Sequence, residues 1–185
     1  MVFSPTSIHG CYELSPGVFR DQRGSFVKVF HEELFQARGL ASHFAEDYYT
    51  LSRRGVLRGL HFQTPPHDHA KLVYCPHGAI LDVALDLRLG SPTHGQHVML
   101  ELSAEKANML YLPPGLAHGF YALSEQALVA YKVTTIHAPE SDSGVHWDSA
   151  GIPWPDREPV ISPRDSALVP FDRFASPFKF QSGRT

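Results

Sequence analysis

Four side chains far apart in the sequence have the right chemistry to move a proton on and off carbon. His61 lies in Arg58-Gly59-Leu60-His61-Phe62-Gln63, Lys71 opens an apolar run ten residues later, Tyr131 precedes Lys132 in another, and Asp165 ends Ser-Pro-Arg-Asp. An imidazole titrates near neutral pH and suits a base, an ammonium can steady an oxyanion, a phenol can return a proton, and a carboxylate can orient the histidine. Each residue also has a plainer reading. A lone His61 would be a core histidine satisfied by one carbonyl, Tyr131 would be sheet packing, and Asp165 would belong to a helix cap. Their joint presence favours the chemical reading.

A second set of histidines suggests a different chemistry. Pro113-Pro114-Gly115-Leu116-Ala117-His118-Gly119 is a turn that delivers His118 onto the start of a strand, and it resembles the second half of the cupin signature. Cupins often hold a metal, for which the first half supplies two histidines one residue apart and then a glutamate. His67-Asp68-His69 offers the pair, but no Glu occurs in the next ten residues and Lys71 stands two positions on. A cation at that place argues against a divalent ion, so no metal is expected. His67 and His69 read as part of a solvated, proline-led loop.

The elements that must hold these residues are mostly short strands. Residues 79–87 alternate strictly, with apolar odd positions and Asp82 and Asp86 at even ones, which predicts one core face and one wet or ligand-facing face. Similar runs at 8–14, 18–30, 44–51, 56–62, 71–75, 97–102, 109–112, 118–123 and 128–136 are bounded by Gly, Pro, Ser or Asn. On the second strand-like run from 56, alternation puts Arg58, Leu60 and Phe62 on one face and Leu57, Gly59 and His61 on the other. One helix is predicted from His31 to Arg38, closed by Gly39, and a shorter one opens at Ser162. About ten strands without βαβ alternation imply an all-β sandwich or barrel, with the double-sheet jelly roll foremost. Residues 137–161 read as a long loop and 172–185 as a loosely held tail.

The 185 residues suit a single domain; 43% are hydrophobic and 19% charged, and no apolar run is long enough for a membrane helix. A net charge of −3 gives no electrostatic footprint for nucleic acid, so an anionic ligand must be gripped by placed basic side chains. The first ten residues lack the pattern of a signal peptide, and Cys11 and Cys75 form no disulfide framework. Together these features predict a reducing cytoplasm.

Over residues of about 8 to 170 the sequence resembles the dTDP-4-dehydrorhamnose 3,5-epimerase family of nucleotide-sugar epimerases. The resemblance rests on Phe19-Arg20-Asp21-Gln22-Arg23-Gly24-Ser25-Phe26, Arg58 to Gln63, Lys71-Leu72-Val73, Asp82-Val83, Asp86-Leu87-Arg88, Pro113 to Phe120, Tyr131-Lys132 and Ile152-Pro153-Trp154-Pro155, in that order. It implies a cupin jelly roll, a homodimer exchanging N-terminal strands, no cofactor and no metal. It also implies inversion at C3, C5 or both of a nucleotide-linked 4-keto-6-deoxy hexose, in deoxysugar and O-antigen-type polysaccharide synthesis. The ketone acidifies both positions, and proton loss gives an enolate with its charge on the C4 oxygen. Within that implication His61 is the base, Asp165 its orienter, Lys71 the enolate stabiliser, and Tyr131 the opposite-face acid with Lys71 or Lys132 as a nearby cation. Arg58, Gln63 and His118 line the substrate pocket, with Phe19 and Arg23 supplied across the dimer.

Two places depart from the family pattern. Asp47-Tyr48-Tyr49 is read opposite the family's Gln-Asp-Asn, and Lys28 stands where the family has Glu. Lys28, Asp47 and Tyr49 are therefore expected at the nucleotide end. Their chemistry points to an altered base, such as a CDP-linked substrate inverted at C3 alone, with a metal-dependent cupin oxygenase or isomerase as the more distant rival.

Overall fold

The computed structural model describes residues 1–181. Thirteen strands and two short helices follow in order: β1 (Val2–Pro5), β2 (Tyr12–Ser15), β3 (Val18–Asp21), β4 (Gly24–Val27), α1 (Glu32–Gln36), β5 (Glu46–Arg53), β6 (Leu57–Gln63), β7 (Lys71–His77), β8 (Ala79–Asp86), β9 (His97–Ser103), β10 (Met109–Leu112), β11 (Leu116–Ala122), β12 (Gln126–Val133), β13 (Asp142–Gly144) and α2 (Pro163–Ser166). One sheet runs β1-β2-β10-β7-β12-β5 and the other β13-β6-β11-β8-β9, while among the described residues β3 and β4 pair only with each other. All strand pairs are antiparallel, so the sequence-based jelly roll is the observed architecture.

The space between the sheets is filled from both sides. Val73, Leu110, Val129 and Tyr131 come from the six-stranded sheet, and Ile80, Ala84, Leu102 and Phe120 from the five-stranded one. Each sheet also has its outer face covered. On the six-stranded sheet, Phe35 of α1 packs with Leu14, Leu72 and Met109. On the five-stranded sheet, Leu60, Val83, Leu85 and Leu87 lie under Val145, Ile152 and Phe178. Burying a side chain of this size contributes about 1.5–3 kcal/mol.

Three expectations are corrected here. Residues 79–87 have no wet face: Asp82 and Asp86 are as buried as the leucines beside them. The segment 137–161 is not all loop, because β13 adds to the edge of β6 and Val160 bridges Val56. The stretch expected as a loose tail turns through a 3-10 turn at Phe171–Arg173 and then docks, with Phe178 buried and Lys179 bridging Leu89. Its last residues, 182–185, lie outside the described residues. Helix α1 is shorter than the predicted 31–38, and Gly39 follows it in the left-handed conformation (φ 67°).

Candidate active site

Strand alternation would place Arg58 and His61 on opposite faces of β6, yet both point into one cavity. The cause is a bulge. On β11, His118 pairs with His61 and Phe120 with Arg58, so two steps on one strand match three on the other. Gly59 makes this possible: its φ is +134°, and a Cβ there would stand 2.5 Å from the Cα of Gly119. The extra residue turns the Arg58 guanidinium inward, where its Nε donates to Ser52 Oγ (3.0 Å).

His61 is oriented from the far end of the chain. Its Nε2 lies 2.8 Å from Oδ1 of Asp165, whose Oδ2 accepts the Gly59 N–H at 3.3 Å. A carboxylate only accepts, so Nε2 carries the proton and Nδ1 keeps a lone pair for a base. Asp165 is held by α2, which Ser162 caps by accepting the Asp165 N–H at 3.0 Å. Asp165 therefore lies in the first turn of a capped helix, while its carboxylate is spent on His61. Burial pushes that carboxyl up, but the hydrogen bond and charge of His61 with the Gly59 N–H outweigh it and hold the group below the usual carboxylate range.

A second dyad stands beside the first, on the neighbouring strand β11. His118 Nε2 lies 2.8 Å from Asp82 Oδ1, with both residues fully enclosed. Burial pushes the Asp82 carboxyl up, against the pull of His118 and Lys71, and among the described residues its Oδ2 finds no hydrogen-bond partner. Lys71 reaches the cavity from β7 of the opposite sheet. It donates to the His61 carbonyl at 3.2 Å, leaving other ammonium protons for a ligand. Burial lowers its pKa from 10.5 to about 8, with Asp142 and Asp82 opposing. Tyr131 closes the wall from β12, and burial drives its phenol far above the ordinary range, with Thr50 and Arg58 pulling the other way.

The cavity measures about 460 Å³ and gathers Arg58, His61, Gln63, Lys71, His118 and Tyr131, with Asp165 behind His61. Seven of the twelve expected site residues are thus together. Gln63 is less free than expected. Its amide donates to the His67 carbonyl (2.8 Å) and its Oε1 accepts the Ala138 N–H (2.7 Å), so it ties two loops together.

The remaining five lie elsewhere in the protomer. Asp47 and Tyr49 face away from the cavity: on β5 the inward residues are Glu46, Tyr48 and Thr50, one position earlier than expected. Asp47 instead pairs with Lys132 on the outer face, so Lys132 is not the cation beside Tyr131; Arg58 has that place. This removes the argument for a CDP-linked substrate, which rested on Asp47 and Tyr49 meeting the base. Phe19 and Arg23 sit on the β3–β4 hairpin and Lys28 just beyond it, all exposed and outside the cavity.

Several residues at or behind the cavity wall escaped sequence reasoning. Asp82 was visible only as a polar position on a strand, and nothing local pairs it with His118. Tyr48 and Glu46 could have been found by continuing the alternation of β5 into its pairing with β12. His69 is no solvated loop residue: it lines the cavity, its Nδ1 is 3.1 Å from Thr135 Oγ1, and burial with Lys71 nearby lowers its pKa to about 3. His67 contacts Ser141 Oγ at 3.0 Å rather than standing free. Among the described residues, no three His, Cys, Asp or Glu side chains are grouped so as to hold a metal ion.

The family model described as dTDP-4-dehydrorhamnose 3,5-epimerase matches residues 5–173. The chain belongs to that family. A dTDP-4-dehydrorhamnose 3,5-epimerase of Methanothermobacter thermautotrophicus is 45% identical over 155 residues, 83% of each chain. The dTDP-6-deoxy-D-glucose-3,5-epimerase of Legionella pneumophila, solved with dTDP-4-keto-L-rhamnose, superposes with a TM-score of 0.93 at 35% identity, covering 98% of this chain and 99% of that one. A 3'-monoepimerase of Streptomyces bikiniensis, solved with dTDP-quinovose, gives 0.86 at 35% identity and covers 91% and 87%. Members of the dTDP-4-dehydrorhamnose 3,5-epimerase family are isomerases, and the two His–Asp dyads, Lys71 and Tyr131 stand here on its jelly-roll scaffold.

Proposed function

We propose that the chain inverts C3 and C5 of a dTDP-linked 4-keto-6-deoxy hexose, in the synthesis of a deoxysugar for polysaccharide. The observation that carries this reading is the His61–Asp165 dyad, with Nδ1 of His61 free at a cavity that also holds a buried ammonium and a phenol. His61 takes the proton from carbon, and the electron pair moves onto the C4 oxygen. The Lys71 ammonium, in a site of low dielectric, stabilises that enolate more than it stabilises the ketone. Tyr131 then delivers a proton to the other face, and solvent restores its phenol. Arg58 is the phosphate grip within the protomer, and neither step calls on a cofactor or a metal ion.

The nucleotide end is completed by a second copy of the chain. Phe19 and Phe26 are 68% and 61% exposed on a hairpin that, among the described residues, pairs with no other strand of its protomer. Exchanged into a partner, that hairpin would bring Phe19, Arg23 and Lys28 to the cavity mouth. Mixed dimers of His61→Asn and Arg23→Ala chains, each inactive alone, then regain one intact site. The buried, unpaired cysteines 11 and 75 accord with a cytoplasmic location, checked by cell fractionation.

The test of the reaction is incubation of dTDP-4-keto-6-deoxy-glucose in D₂O, followed by NMR. Deuterium at C3 and C5 of an inverted product is the expected result. No incorporation at either carbon by a folded protein defeats the reading, and incorporation at C3 alone narrows it to a monoepimerase.

A further inference from the structure

Resting on that reading, we propose that Tyr48 is a positioning residue for the acid: its ring holds the phenol of Tyr131 in the pose from which a proton is returned. Tyr48 and Tyr131 are directly opposed in the β5–β12 ladder and turn to the same face, toward the cavity. Their rings stack with centroids 4.8 Å apart and planes inclined by 17°. Tyr131 also meets His118 in an edge arrangement at 5.9 Å and 78°. His118 is itself pinned by Asp82, so the phenol is held by a fixed imidazole as well as by Tyr48.

The two contacts differ. His118 is buried in the central strands of its sheet, whereas Tyr48 is 42% exposed on the edge strand β5. Tyr48 can therefore be changed without opening the core, while the freedom of Tyr131 depends on it. Aromatic pairs in this offset arrangement prefer a narrow range of ring placements. A shift of the phenol by about 1 Å is enough to cost a proton transfer much of its rate. Deprotonation by His61 and stabilisation by Lys71 do not involve the Tyr48 ring.

This separation makes the inference testable in D₂O. Once His61 has taken a proton, the enolate has two fates. Deuterium returned from the His61 face gives labelled substrate of unchanged configuration, and deuterium returned from Tyr131 gives labelled, inverted product. Removing the stack by Tyr48→Ala is expected to leave total deuterium uptake near the wild-type rate. The ratio of inverted to retained label should fall by about fivefold to tenfold, the value of an aromatic pair. Tyr48→Phe keeps the ring and restores the ratio, and Tyr48→Leu, which keeps apolar bulk for folding, does not. A wild-type ratio in Tyr48→Ala or Tyr48→Leu overturns the inference. So does a parallel loss of uptake and inversion, which would place Tyr48 in substrate binding, or a failure of Tyr48→Phe to rescue. Absence of uptake in the wild-type protein would count against the epimerase reading instead.

Discussion

The same pair occurs twice at the cavity wall, His Nε2 to Asp Oδ1 at 2.8 Å, in two different surroundings. The His61 side chain is 28% exposed and its Asp165 carboxyl is held below the usual range; His118 and Asp82 are sealed, and the Asp82 carboxyl is pushed up. Bond length does not separate the proposed base from its neighbour. What separates them is how far the imidazole is exposed and how many donors its carboxylate receives. Asp165 has the Gly59 N–H on its second oxygen, while the second oxygen of Asp82 has no partner among the described residues.

The largest expected effect breaks the comparison at the histidines. His61→Asn is expected to lower deuterium exchange by about 10²–10⁴-fold with folding and nucleotide binding intact, since a positioned base contributes that much. His118→Ala is expected to do the reverse, with a stability loss of about 3 kcal/mol in denaturant unfolding because Asp82 is left buried without a partner. An equal fall in exchange for the two variants would mean that both dyads handle protons.

Lys71 donates to the His61 carbonyl and feels the charge of Asp82, and Lys71→Met is expected to reduce turnover by about 10²–10³-fold, as loss of an oxyanion stabiliser does. Its pH dependence has a definite sign. The ammonium falls from 10.5 to about 8 on folding, so between those values the unfolded chain binds more protons than the folded one. Unfolding free energy therefore rises with pH across that window, and the cost of burying the charge is felt in full below it. Activity moves the other way, falling as the ammonium is lost above about pH 8. A kcat/KM profile without that alkaline limb, or with the same limb in Lys71→Met, would take the titration away from this residue.

Smaller effects sharpen the contrast at the carboxylates. Asp165→Asn, whose amide can donate to His61 and fix the wrong tautomer, is expected to slow exchange by about 10²-fold or more. Asp82→Asn should cost only about 1 kcal/mol in stability and little rate, because burial already disfavours charge there. The smallest effect is that of Asp47→Ala. Its exposed pairing with Lys132 contributes less than about 1 kcal/mol, and dTDP-sugar turnover should be unchanged because the side chain faces away from the cavity.

The sequence carried the fold and the reacting groups because both leave local traces. Alternating runs and turn residues marked nearly every strand, and His61, Lys71, Tyr131 and Asp165 stood in recognisable surroundings. What it concealed was geometry that depends on register. A single extra residue at Gly59 moved Arg58 to the face of His61, and a one-residue slip in reading β5 exchanged Glu46 and Tyr48 for Asp47 and Tyr49. The docked stretch around Phe178 was missed for another reason: its polar, proline-bearing sequence looks like a tail until the apolar face it covers is known.

The barrel and its base are completed at different times. Every strand of the six-stranded sheet has been made once Val133 leaves the ribosome, but Asp165 follows 32 residues later (165 − 133). At 5–20 residues per second that is a delay of roughly 2–6 s. During vectorial synthesis the segment that orients His61 is thus among the last to emerge, together with β13 and the C-terminal stretch that covers the five-stranded sheet.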